Sequence, residues 1–259
     1  MTQAQRRIFL IQELLKEQPQ YAGAKLPTDE SNQEQLLRSL FNIRMPKPVG
    51  KEFLDVQDAY LQAEIRQKGI TDFRDLTPVE DGIYLLRGDI TTLRCDAIVN
   101  AANSRMLGCF VPCHGCIDNA IHTFSGVQLR LACTEMMRRQ GHEEQPGQAK
   151  ITPAFNLPSR YILHTVGPIV RGKLTARECT QLADCYRSCL NLAEKNHLKS
   201  IAFCCISTGE FGFPHDRAAQ IAVQTVREYR AQTKTQMEVI FNVFQESDQH
   251  IYQGLLGAD

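Results

Sequence analysis

Within eight residues, Cys109-Phe-Val-Pro-Cys-His-Gly-Cys116 sets three thiols and an imidazole side by side, and His122 follows shortly after. Soft thiolates with imidazole at close spacing favour zinc, which takes four ligands in a structural site and three where a coordination position stays open for chemistry. Cys109, Cys113, His114, Cys116 and His122 are the candidate donors. No second Cys/His cluster lies nearby to complete a four-thiolate finger, so a three-ligand site is the more economical reading. Spacing alone does not choose the three, and a reactive thiol or simple packing stays open. Cys113-His-Gly-Cys116 also mimics a redox C-x-x-C, but it lacks the strand-to-helix setting of a thioredoxin βαβ unit.

Other polar segments have the composition of ligand loops. They are Gly88-Asp-Ile90, Asn100-Ala-Ala-Asn-Ser104, the stretch 109–126, and Ser207-Thr-Gly-Glu-Phe-Gly-Phe-Pro214. The last places two glycines beside Ser and Thr just ahead of a helix start, a composition that lets backbone N–H groups approach a diphosphate. Taken singly, each is equally a plain turn. A further segment, Gly167-Pro-Ile-Val-Arg-Gly-Lys173, has the spacing of a nucleotide-triphosphate loop. Leu174 occupies the position that needs a magnesium-binding hydroxyl, and Pro168 removes an N–H donor, so that reading is set aside.

The elements that must position these loops follow from periodicity. Ile8, Leu10, Ile11, Leu14 and Leu15 share one helical face; Ser31-Asn-Gln-Glu34 reads as a capping box before a second helix; a third runs to a C-cap at Gly69. From about residue 81 short apolar runs alternate with helical ones, which predicts an α/β domain with strands joined by crossover helices. The expected strands are Ile83–Arg87, Ala97–Asn100, Tyr161–Val166, Ile201–Cys205 and Val239–Val243. The expected helices are Gly126–Gln140, Thr175–Asn196 with its capping box Thr175-Ala-Arg-Glu178, and one from His215 to about Ala231. Each polar loop except 109–126 then leaves the carboxyl end of a strand, where open α/β sheets bind ligands.

Composition excludes several classes. The 259 residues suffice for a sizeable core, and 29 Lys plus Arg balance 29 Asp plus Glu, leaving no global basic field for general nucleic-acid binding. No apolar run approaches the roughly 18 residues of a membrane span, and the N-terminus reads as an amphipathic helix rather than a signal peptide. Ten cysteines without such a signal indicate a reducing compartment, the cytoplasm, with few or no disulfides. Cys95, Cys133, Cys179, Cys185, Cys189, Cys204 and Cys205 lie in apolar or helical contexts and read as core thiols.

Together these segments resemble a known family. Gly88-Asp-Ile90 with Asp96-Ala-Ile-Val-Asn-Ala-Ala-Asn-Ser104 is similar to the opening signature of macrodomains, the modules that bind ADP-ribose. Gly115-Cys-Ile-Asp-Asn-Ala-Ile-His122 through Gly126 resembles their catalytic loop. Pro153-Ala-Phe-Asn-Leu-Pro158 with Ile162-Leu-His-Thr-Val-Gly-Pro168, and Ile206 to Pro214, match further family segments in the same order. The helical N-terminal third and the Cys109–Cys116 insert resemble the zinc-containing branch of macrodomain ADP-ribosyl hydrolases. The implied fold is a three-layer α/β/α macrodomain with a central mixed sheet over 71–259, preceded by a helical extension over 1–70.

The resemblance also implies roles. Cys109, His114 and Cys116 would hold Zn2+, with Cys113 an extra thiol. Asp89 and the backbone of Ile90 would meet adenine, and N–H groups of Ser207, Thr208, Gly209, Glu210, Phe211 and Gly212 the diphosphate. Asn103 would hydrogen-bond the ribose beside the scissile bond, and Asp118 would position or deprotonate water, a helix N-cap being its other reading. His122 and His164 read as structural. Cys116 and Asn119 stand where ordinary hydrolytic macrodomains carry glycines, and Phe211 and Phe213 stand where relatives place aromatic rings. The expected activity is removal of mono-ADP-ribose from modified protein side chains, ester-linked Asp or Glu first among them. A non-catalytic ADP-ribose reader and an O-acyl-ADP-ribose esterase are the alternatives. The branch further suggests a sirtuin-like ADP-ribosyltransferase and a lipoyl-carrier protein as partners.

Overall fold

The computed structural model describes residues 1–21 and 23–257. Residue 22 of the extension and residues 258 and 259 of the expected macrodomain lie outside the described residues. Three helices come first: α1 (Gln3–Lys16), α2 (Glu30–Ile43) and α3 (Lys51–Lys68). They are followed by β1 (Thr71–Asp72), β2 (Ile83–Arg87), β3 (Leu93–Arg94), β4 (Ala97–Ala102), α4 (Ile117–Ser125) and α5 (Val127–Gln140). The remainder is β5 (Ala149–Pro153), β6 (Tyr161–Val166), α6 (Ala176–Lys195), β7 (Ser200–Phe203), α7 (His215–Thr233), β8 (Glu238–Val243) and α8 (Glu246–Leu256).

Six strands form the central sheet in the order β2-β8-β7-β4-β6-β5, while β1 and β3 pair separately. Neighbours run parallel except β5 against β6, which makes the sheet mixed. The parallel strands are near-continuous apolar runs because helices cover both faces. Helix α7 packs against both α6 and α8, whereas α4 packs with α5, β4 and the extension. Registers such as Ala102↔Val166 and Arg87↔Val243 bring strand ends level, so the loops after β2, β4, β6 and β8 leave along one edge.

The extension has its own apolar centre, with Leu10, Ile11, Leu14, Leu37, Leu40 and Leu61 all buried. Burying each such side chain stabilises by roughly 1.5–3 kcal/mol. Val127 of α5 belongs to this cluster and Ile65 of α3 to the sheet core, so the extension and the sheet share packing. The second helix starts earlier than its expected capping box. Asp29 is the N-cap, its carboxylate accepting from Asn32 N at 2.9 Å, which leaves Ser31 inside the first turn. The capping box at Thr175 and Glu178 forms as expected. Strand β5 and helix α8 are additional to the expected elements, and α4 starts at Ile117, ahead of the helix N-cap that Asp118 offered. Of the seven expected core thiols, Cys179 and Cys205 are only half-buried, and every cysteine among the described residues is free. No helix among the described residues is long and apolar enough to cross a membrane.

Candidate active site

The chain passes from β4 to β6 on one side and then back to β7 on the other, making the β4/β7 boundary a topological switch point. A cleft of about 1060 Å³ opens there. It brings together Asp89 and Ile90 after β2, Asn103 after β4, Asp118 at the start of α4, and Ser207–Phe211 after β7. Cys109, His114 and Cys116 line it too. Gly212 does not, and its N–H is engaged in donating to Gly209 O at 2.9 Å. Phe213 is also a correction to the expected aromatic wall: it is buried in the core, drawn in by the bond from Phe213 N to Ser207 O. Phe211 alone of the pair faces the cleft.

At one end, Asp89 caps a short 3-10 turn, accepting from Thr91 N and Thr91 Oγ1 at 2.9 and 2.6 Å. Its other oxygen accepts from Lys68 Nζ of α3 at 3.0 Å. Burial opposes the Asp89 charge, but these hydrogen bonds and the ammonium hold its carboxyl below the usual range. The turn aspartate and the ligand acceptor are therefore compatible roles for one side chain.

The loop after β7 is shaped for an anion. Ser207 has φ +66°, Thr208 Oγ1 donates to Cys205 O, and Val170 N donates to Phe211 O. Among the described residues, the N–H groups of Thr208, Gly209, Glu210 and Phe211 donate to no protein acceptor, which leaves them available to a ligand. Gly167 makes this loop possible, because an added Cβ would collide with Ser207 Oγ and lie 2.9 Å from Ile206 Cγ2.

At the other end, Asp118 sits in the first turn of α4, two residues after Cys116. The cap is Cys116, whose Sγ accepts from Asn119 N at 3.4 Å, so Asp118 is free of that role. Its carboxylate accepts from Asn100 Nδ2 at 2.8 Å and from Asn103 Nδ2 at 3.3 Å, and lies 3.6 Å from His122 Nε2. Burial pushes the Asp118 carboxyl up to about 6, against the pull of Asn100, Arg130 and Asn103. Arg130 does not ion-pair with it directly. Instead it donates to Leu107 O, Phe41 O and Arg44 O, and burial lowers it to about 10.

Behind Asp118 lie two neutral imidazoles. His164 is fully buried, accepting at Nδ1 from Asn100 Nδ2 at 3.2 Å, which leaves Nε2–H to donate to Thr152 Oγ1 at 2.9 Å. Burial depresses His164 to about 3, and burial with His164 and Arg130 depresses His122 well below the usual imidazole range. A histidine depressed in the folded state destabilises it as pH falls below the unfolded value of about 6.5, by about 1.4 kcal/mol per pH unit. Asp118 acts with the opposite sign, offsetting one histidine between its folded and unfolded values. His164→Asn is therefore expected to lose roughly 2–3 kcal/mol less than wild type between pH 7 and 4.5. Urea unfolding at both pH values, with chelator in every sample, measures this; equal losses would show that His164 is not held neutral.

One donor atom from each of Cys109, His114 and Cys116 fits within 4.8 Å of the others, and Cys109 Sγ lies 3.6 Å from His114 Nδ1. Two thiolates and an imidazole, half-buried on a cleft wall, suit zinc with a position left open. The other two candidates are elsewhere. Cys113, at φ +53°, turns its thiol to Ser39 Oγ and Gln35 O of α2, and His122 is buried beneath Gly108. Burial pushes the Cys116 thiol up to about 12, with the Cys109 thiol adding to it. His114 Nε2 faces Glu210 at 3.4 Å, so the 109–116 loop meets the 207–211 loop.

The first 70 residues carry no chemical motif in sequence, yet Arg38 and Lys68 from α2 and α3 line the cleft. Phe244, outside the expected site residues, follows β8 on the rim and is 78% exposed. A lone aromatic directly after an apolar strand was the available signal.

A mixed, mainly parallel sheet with a cleft at its strand ends is the arrangement of the macrodomain class. The macro domain family matches residues 99–222 of the sequence. The chain is 60% identical over 260 positions to the protein-ADP-ribose hydrolase of Treponema medium, covering 99% of this chain and 100% of that one. It is 48% identical to the protein-ADP-ribose hydrolase of Staphylococcus aureus, covering 97% and 95% respectively. The Trypanosoma brucei macrodomain in complex with ADP-ribose superposes with a TM-score of 0.65 at 33% identity, over 85% of this chain and 95% of that one. This chain belongs to the macrodomain family.

Proposed function

We propose that the protein hydrolyses ADP-ribose from modified protein side chains, with ester-linked Asp or Glu as the preferred linkage. The observation that carries the reading is the buried Asp118 carboxyl, held by Asn100 and Asn103 on the cleft floor beside the Cys109–His114–Cys116 cluster. A pure reader needs neither the carboxylate nor the cluster to hold adenine and diphosphate.

Asp89 accepts from the adenine amino group while Ile90 N–H meets the ring edge, and Phe244 offers its face to the base. The free N–H groups of Thr208 to Phe211 hold the diphosphate, and Ser207 adds its buried, unpartnered hydroxyl. Local dipoles supply this recognition, so a chain of zero formal charge binds a dianion. Asn103 hydrogen-bonds the ribose next to the scissile bond. Asp118, ionised at neutral pH but basic enough to accept a proton, takes one from water as the water oxygen bonds to the ribose carbon. The bond from that carbon to the side-chain carboxyl oxygen breaks, and the carboxylate leaves with its electron pair. Zinc held by Cys109, His114 and Cys116 would supply Lewis acidity toward an oxygen of the substrate or the attacking water.

The leaving group explains the preference for esters. Among the described residues, Asp118 is the one buried carboxyl in contact with Asn100 and Asn103, and it is spent as the base. A carboxylate departs without being protonated, whereas a serine alkoxide needs an acid. A panel of protein substrates modified on Glu, Ser or Arg tests the point. Release from the Glu-linked substrate is expected to exceed the others by about tenfold or more, the usual scale of one general-acid contribution being larger still. Equal rates on Ser- and Glu-linked protein would overturn the ester assignment.

A further inference from the structure

The glycine replacement at Asn119 and the polar face of α2 are connected. We propose that Arg38 is a positioning residue which, through Asn119, holds the 109–116 loop in the shape that brings the Cys109, His114 and Cys116 donors together. The N-terminal extension is then part of the metal site, and the proposal rests on the zinc reading given above.

The loop has little backbone structure of its own; between residues 107 and 115 its internal bond is His114 N to Val111 O. Its shape comes from side chains reaching in. Arg38 Nη2 donates to His114 O and to Asn119 Oδ1, both at 3.0 Å. Asn119 passes the constraint on, donating from Nδ2 to Val111 O at 3.0 Å and from its backbone N–H to Cys116 Sγ at 3.4 Å. One guanidinium and one amide thus tie the middle of the loop to two of the three donor residues. Asn119 is fully buried, so no solvent replaces these bonds if they are lost.

The neighbouring turn of α2 repeats the pattern. Asn42 Oδ1 accepts from Cys113 N at 2.8 Å, and Ser39 Oγ meets Cys113 Sγ at 3.2 Å. Asn42 in turn donates to Thr123 Oγ1 of α4 at 2.9 Å, so α2 grips both the loop and the helix it leads into. A glycine at 119 would leave Arg38 without its side-chain acceptor and Val111 O with His114 N as its remaining donor. The loop would then have to be ordered at the moment of metal binding, and that lost conformational freedom weakens the metal. Groups that orient metal ligands from outside the coordination sphere commonly change metal affinity by about 10- to 100-fold when removed.

The test measures zinc affinity by competition with a chromogenic chelator, and ADP-ribose affinity by calorimetry, on full-length wild type, Arg38→Ala, Asn119→Gly and the double variant. Each single variant is expected to weaken zinc by about 10- to 100-fold, and Asn119→Gly, which lies off the cleft wall, to leave ADP-ribose affinity unchanged within about twofold. The double variant should be far less than additive, because the two residues act as one chain. Zinc affinity within about twofold of wild type in both single variants would overturn the proposal. Parallel loss of zinc and ADP-ribose affinity in both would also overturn it, marking general packing instead. A wild type that binds ADP-ribose but no stoichiometric zinc would remove the zinc reading itself and the proposal with it.

Discussion

Asp118→Asn is expected to slow ADP-ribose release by about 10²- to 10⁴-fold while leaving ADP-ribose affinity within a few-fold, the range of a lost general base. The amide is isosteric with the carboxylate and its oxygen still accepts from Asn100 Nδ2, while the bond from Asn103 Nδ2 is lost because an amide nitrogen cannot accept it. It carries no charge and takes no proton from water. Removing a carboxyl that burial has raised to about 6 removes a desolvation cost at neutral pH, which offsets the lost bond from Asn103. Single-turnover release, with calorimetry for ADP-ribose, measures both halves. A variant that keeps wild-type turnover would move the base elsewhere in the cleft.

Cys116→Ser separates the two duties of that residue. Serine retains an N-cap oxygen for Asn119 N but is a poor zinc ligand, so α4 should persist while the metal is lost. The expected result is zinc content near zero and turnover down by about 10²-fold or more, as when a Lewis acid worth several kcal/mol is withdrawn. ADP-ribose affinity should be retained, because Asp89 and the 207–211 loop lie on other elements. Full activity in metal-free Cys116→Ser would make the cluster structural.

Much of the scaffold was legible because packing and periodicity agree along most of the chain. Ile83–Arg87 and Tyr161–Val166 are strands with the expected ends, and Thr175 caps α6 as its capping box requires. The misses have physical causes. Strand β5 is an antiparallel edge that carries Lys150 and ends on Pro153, so it lacks the apolar run of a central strand. Helix α4 is short and capped by a cysteine, a residue outside the usual capping set. In α8, Ser247, Asp248, Gln249 and His250 interrupt the apolar stripe, and Gly254 weakens it.

The loops were readable as chemistry because their residue types are unusual together, but which donors converge was not readable from spacing. Cys113 sits between Cys109 and Cys116 in sequence, yet a left-handed backbone turns it to Ser39. The same limit hid the contribution of the extension. Gln35, Arg38, Ser39 and Asn42 look like the solvated face of an amphipathic helix, and only the fold shows that this face meets the 109–116 loop. Phe213 shows the converse, an aromatic in the right segment that the turn at Gly212 sends into the core.

The most direct measurement is release of free ADP-ribose from a Glu-linked, mono-ADP-ribosylated protein, with zinc quantified in the same sample as metal is stripped and returned. The expected result is release that falls with zinc content, recovers when zinc is restored, and is nearly absent in Asp118→Asn. Tight binding of ADP-ribose with no release at any zinc content would contradict hydrolysis and leave a protein that only holds its ligand.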